Sequence, residues 1–94
     1  MKVHVVSWEH QPDGGGFNWY RTCEIANKMF RSECETYSDF EVKTTVFLFD
    51  CEVAGGTDEQ VTEQVDEYLQ GCDATPPKPI RVSIVGGKSK QNQG

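Results

Sequence analysis

The chain of 94 residues carries fifteen acidic side chains, nine lysines or arginines and two histidines, for a net charge of −6. That length holds one domain, with room for one modest core: a chain of this size buries roughly 60–65% of its unfolded surface. The charged fraction is ordinary and five Phe, three Tyr and two Trp are present, which excludes wholesale disorder and supplies large side chains for that core.

The opening segment, Met1-Lys2-Val3-His4-Val5-Val6-Ser7, has no continuous apolar stretch and no small-residue cleavage site, so no signal peptide is expected. The longest aliphatic and aromatic run, Val46-Phe47-Leu48-Phe49, falls far short of the ~20 residues a membrane-spanning helix needs. A cytoplasmic protein is expected. Cys23, Cys34, Cys51 and Cys72 are widely and irregularly spaced, and in such a compartment they are expected to be reduced, mostly buried thiols.

Residues 2–8 alternate as a strand, with Val3 and Val5 on one face and His4, Val6 and Trp8 on the other. Pro12-Asp13-Gly14-Gly15-Gly16 is turn punctuation. Phe17-Asn18-Trp19-Tyr20-Arg21-Thr22 has two readings. It either opens a helix that continues to about Cys34, or pairs back on the first strand as a hairpin. The hairpin is preferred, because aromatic residues favour strands and Thr22 with Glu24 makes a sound helix start. Either way the helix buries Ala26, Met29, Phe30, Cys34 and Tyr37 at helical spacing.

Ser38-Asp39 ends that helix. Residues 40–49 form a strand whose end is apolar on both faces, the pattern of a central strand. Ala54-Gly55-Gly56 turns the chain, and Thr57-Asp58-Glu59-Gln60 is a capping box for a second helix. Val61, Val65, Tyr68, Leu69 and Cys72 form its buried stripe, and Gly71 suits its end. A proline-rich linker over 74–79 leads to a last strand, Ile80 to Val85, with one apolar face. Pro79 places it at a sheet edge or starts it after the proline.

The expected fold is α+β. It is a two-layer sandwich with a mixed or mainly antiparallel sheet of about four strands and two helices on one face, in the order ββαβαβ. It spans residues 1–85, with a disordered polar tail over 86–94. The helical reading of residues 17–22 would instead give βαβαβ with a parallel sheet.

Chemical motifs are sparse. Asp13-Gly14-Gly15-Gly16 lacks the spaced glycines of a dinucleotide loop, and Gly87-Lys88-Ser89 lacks the earlier glycine and the following helix of a phosphate loop. No cysteine or histidine pair has metal-ligand spacing. His4 and His10, with Glu9, are a possible ligand set beside the glycine turn, although surface or interior histidines are the commoner case. Cys51 stands between Asp50 and Glu52, which disfavours a thiolate. Cys23 is better placed near a helix start but has no histidine close in sequence. Asp50 is the best general-acid candidate, against the plainer reading of a solvated strand end. No enzyme, cofactor or metal site is expected.

The acid distribution stands out. Between Asp50 and Asp73 lie eight acids and no Lys or Arg, while the rest of the chain, with seven acids and nine bases, sums to plus two. Glu59, Glu63, Asp66 and Gln70 line up opposite the apolar stripe of the second helix, with Glu67 beside them. Such a face repels nucleic-acid phosphates and steers a basic partner. The expected function is therefore a non-catalytic protein-binding module, with Glu59, Glu63, Asp66, Glu67 and Gln70 meeting a basic protein. It would not bind nucleic acid directly or a membrane, and it would be a monomer or weak dimer. In size and charge, though in no quotable motif, the chain looks like acidic bacteriophage accessory proteins that block nucleic-acid-binding host proteins. Two alternatives stay open: a small-ligand or metal site near His4, His10 and the glycine turn, and a structural subunit of an assembly held by exposed aromatics.

Overall fold

In a computed structural model, residues 1–12, 14–72, 76 and 78–87 are described. Six elements follow in chain order: β1 (Lys2–His10), β2 (Gly15–Tyr20), α1 (Cys23–Ser38), β3 (Lys43–Glu52), α2 (Asp58–Gly71) and β4 (Arg81–Gly86). The strands form one antiparallel sheet in the order β2-β1-β3-β4. This is the α+β class and the ββαβαβ order that the residue pattern predicts. Residues 17–20 form the hairpin strand, and the Thr22 side chain then caps α1 by accepting from the Ile25 N–H.

The register fixes which residues share a face, because directly opposed residues of an antiparallel pair point the same way. Val5 lies between Trp19 and Phe49, and Val6 between Asn18 and Leu48. Val5, Val6, Val46, Phe47, Leu48 and Phe49 are all buried. The two central strands are thus apolar on both sides, and each side needs its own cover.

The helices supply it from opposite faces. Ala26 and Phe30 of α1 pack with Val6, Val46 and Leu48, flanked by Trp8, Tyr20, Met29 and Tyr37. Val61, Val65 and Leu69 of α2 pack with Val3, Val5, Phe47 and Phe49, flanked by Phe17 and Trp19. This corrects the expectation of two helices on one face: the molecule has three layers, with the sheet in the middle. Helical periodicity tells which side of a helix is buried, but not which face of the sheet it meets.

α2 covers its face unevenly. It is tied to the β2 side, where the Trp19 indole Nε1 donates to Thr62 Oγ1 at 2.8 Å and Arg21 meets Asp58 at 2.6 Å. The β4 end of the same face is left open, so Ile80, Val82 and Ile84 are 58%, 50% and 60% exposed. On the opposite face Arg81 holds β4 to α1, lying over the Phe30 ring and donating to Asn27 Oδ1 at 3.1 Å.

β4 starts two residues after Pro79 and pairs only with β3 among the described residues. Its last residue, Gly86, pairs with Lys43 at a φ of +86°. A Cβ there would fall 3.0 Å from the Tyr37 carbonyl oxygen, so only glycine fits. The Gly87 N–H donates to the Phe40 carbonyl at 2.9 Å. The polar tail expected over 86–94 therefore begins later than the sequence suggests, since Gly86 closes β4 and Gly87 is hydrogen-bonded; residues 88–94 lie outside the described residues, as does half of the proline-rich linker over 74–79.

This layering makes a graded prediction for one sheet face. Phe47→Ala should destabilise by roughly 3–5 kcal/mol and Val65→Ala by about 2 kcal/mol, as truncations beneath a packed helix do. Val82→Ala, on the same face but uncovered, should stay within about 0.5 kcal/mol. Urea melts of the three variants measure the gradient, and equal effects would place α2 over the whole sheet.

Candidate functional site

α2 begins where the sequence places it. The Gln60 N–H donates to Thr57 Oγ1 at 3.2 Å and the Thr57 N–H to Gln60 Oε1 at 2.9 Å, so both halves of the capping box are made. With Val61, Val65 and Leu69 turned to the sheet, Glu59, Glu63, Asp66, Glu67 and Gln70 are all exposed. The five residues therefore share one exposed face of the helix. The Gln70 amide donates to Asp66 Oδ2 at 3.0 Å, one turn along the helix. No basic residue stands in the last turn, so the negative end of the helix dipole adds to the acidic field.

One flank of this stripe faces the β1–β2 hairpin in three steps, a helical turn apart. Asp58 meets Arg21, which also lies 5.0 Å over the Trp19 ring. Thr62 then meets Trp19. At the third step, Asp66 and Gln70 stand beside Gly15, Gly16 and Phe17, and a cavity of about 330 Å³ opens. Ser7, Trp8, Glu9, Gly14 and Leu69 complete its lining.

Three glycines are among the lining residues. Gly14 holds a φ of +108°, a backbone conformation that favours glycine. A Cβ on Gly16 would fall 2.9 Å from the Trp8 ring. On β1 the apolar series of Val3 and Val5 gives way to Ser7. Ser7 is 3% exposed, lies between Phe17 and Phe47 in the sheet, and its Oγ has no hydrogen-bond partner. The sequence gives no sign of this site, which depends on strand register and on where α2 crosses the hairpin.

The histidines do not converge. They lie six residues apart on one strand, ~20 Å at strand rise, and each has its own neighbour. His4 Nδ1 is 2.6 Å from Asp50 Oδ1, and His10 Nδ1 is 2.8 Å from Thr44 Oγ1. His10 is also stacked in a cluster with Tyr37 and Phe40. Among the described residues no group of three His, Cys, Asp or Glu is placed to hold a metal ion. Asp50 faces His4 and Lys2 at a solvated strand end instead of an apolar pocket.

Partial burial pushes the Glu33 carboxyl on α1 up, and its charge in turn adds to burial in raising Tyr20 and Tyr37. All four cysteines are free. Burial pushes the Cys51 thiol up, with neighbouring Cys72 and Glu52 adding to the effect. Cys34 is raised mainly by burial, against a hydrogen bond from Ser83 and the charge of Arg81. Trp8, Phe17, Trp19 and Tyr20 are half-buried parts of the two cores. Exposed apolar side chains include Ile80, Val82 and Ile84 at β4, and Ile25, Phe40, Val42 and Tyr68 elsewhere.

No family model matches this chain, and neither a curated protein nor a solved structure does.

Thiol reactivity should follow this burial. Iodoacetamide at mildly alkaline pH should alkylate Cys23, which is exposed, well before Cys51, as read by peptide mass spectrometry over time. Early labelling of Cys51 would mean that β3 is not covered by α2.

Proposed function

We propose that the protein is a non-catalytic, cytoplasmic binding module whose acidic α2 face docks a basic protein surface. The observation that carries this reading is the sharing of one exposed helix face by Glu59, Glu63, Asp66, Glu67 and Gln70, with no Lys or Arg anywhere between Asp50 and Asp73. Such a face attracts cations from a distance and repels phosphate, so the partner is a basic protein and nucleic acid is not bound directly. A basic partner that itself handles nucleic acid would be blocked by this face. Among the described residues no helix is long and apolar enough to cross a membrane.

The test is charge reversal. Glu59→Lys, Glu63→Lys and Asp66→Lys together should abolish capture of a basic partner while circular dichroism stays native. The three side chains point away from the core, and the lysine nearest the helix start costs about 0.3–1 kcal/mol against the dipole. Association of the wild type should weaken steeply as salt rises. A folded triple variant that binds at wild-type affinity would reduce the face to a solubilising surface.

β4 favours a second reading, a subunit of an assembly. Its outer edge carries no partner strand among the described residues, and Ile80, Val82 and Ile84 are exposed beside it, a combination that invites strand addition. Sedimentation should then show a concentration-dependent dimer that Val82→Lys removes. A monomer at every concentration would dismiss this reading.

A further inference from the structure

The cavity at the third step of the α2–hairpin seam has a chemistry that the acidic stripe alone does not explain. Its lining carries two carboxylates, Glu9 and Asp66, and the amide of Gln70. Its walls include Phe17 and Leu69. Ser7 also lines it, 97% shielded from solvent, with a buried hydroxyl oxygen that has no partner among the described residues. Buried hydroxyls are almost always hydrogen-bonded, and an orphaned one in a native fold marks a place where a partner group is missing.

We propose that this cavity is a socket for one cationic side chain, arginine or lysine, of the basic partner. The proposal rests on the reading of α2 as a basic-protein interface and adds where that interface is anchored. An aliphatic stem lies against Phe17 and Leu69, as such stems do on apolar walls. The charged head carries only N–H donors, so every polar group it meets must accept. Ser7 Oγ, Gln70 Oε1 and the carboxylate of Asp66 are three such acceptors. The missing basic residue in the last turn of α2 leaves helix carbonyls that favour the same charge. An acidic or phosphate group has no place here, since two carboxylates line the cavity. A neutral apolar group would leave Ser7 orphaned.

The inference is tested on the full chain with single-residue probes. N-acetyl-arginine amide and N-acetyl-lysine amide are titrated in the millimolar range, against the neutral N-acetyl-citrulline amide, and amide resonances are followed by NMR. At least one cationic probe should saturably shift Gly14 to Phe17 together with Leu69 and Gln70, and the citrulline probe should not. Ser7→Ala removes an orphaned hydroxyl without opening the core, so its melting temperature should hold or rise. Its probe affinity should fall about five- to tenfold, the equivalent of one lost hydrogen bond. Glu59→Lys with Glu63→Lys, which do not line the cavity, should leave saturable binding at the socket in place while weakening capture of the partner. If neither cationic probe moves the hairpin resonances, or if Ser7→Ala binds as the wild type does, the socket is wrong. The wider reading of the acidic face then still stands or falls on its own charge-reversal result.

Discussion

The pairing of β1 with β3 is the constraint from which the rest of the molecule follows. Nine residues of one strand run in register with nine of the other, from Lys2 opposite Glu52 to His10 opposite Thr44. Within that ladder, Val5 and Val6 are consecutive buried residues, as are Val46, Phe47, Leu48 and Phe49. A strand that is apolar on successive positions exposes oil on both faces unless both are covered. With two helices available, one must go to each side. β2 and β3 run in the same direction on either side of β1, so α1 crosses one face to join them. α2 takes the other. The acidic stripe faces outward because its helix was needed inward.

The same constraint shows what the residues reveal by themselves. The hairpin was legible in Gly14–Gly16 followed by aromatics, and the start of α2 in Thr57 and Gln60, because these signals are local. Spacing alone marked the buried faces of both helices around Ala26 and Phe30 and around Val61, Val65 and Leu69, but it also put Tyr68 in the second stripe, where the structure leaves it exposed. Helix placement was not, although the adjacent buried pair Val5-Val6 and the run from Val46 to Phe49 held the information. Alternation was read on each strand separately, and the demand of a two-sided sheet for two covers is a property of the assembled sheet. That Glu59, Glu63, Asp66, Glu67 and Gln70 share an exposed helix face was legible, since it depends only on the helical period. Ser7 was not, because a lone serine in a strand carries no signal until register sets it between Phe17 and Phe47 and α2 leaves it uncovered by any polar partner.

Magnitudes explain how α2 tolerates its charge. Like charges one turn apart cost a few tenths of a kcal/mol each. Burial of Val61, Val65 and Leu69 is worth roughly 1.5–3 kcal/mol apiece, and the capping box contributes about 1 kcal/mol more. Asp58 and Glu59 also lie where the helix dipole favours acids. Repulsion along the stripe is therefore a minor term, and the helix holds without lysines to relieve it. Composition of the outer face is nearly decoupled from stability, which is the condition under which a surface can be set by what it meets.

A stripe of carboxylates and a socket would divide recognition between them. Exposed charges act over about a Debye length, ~8 Å at physiological salt, and they steer without fixing a register. Along the stripe, Glu59, Glu63 and Gln70 repeat at nearly the helical period, so a basic surface could slide by one turn at little cost. The cavity breaks that degeneracy. It occurs once, at the third step of the seam, because Arg21 and Trp19 close the first two steps with bonds to Asp58 and Thr62. A single inserted side chain there would set position and orientation, while the stripe set the rate of approach.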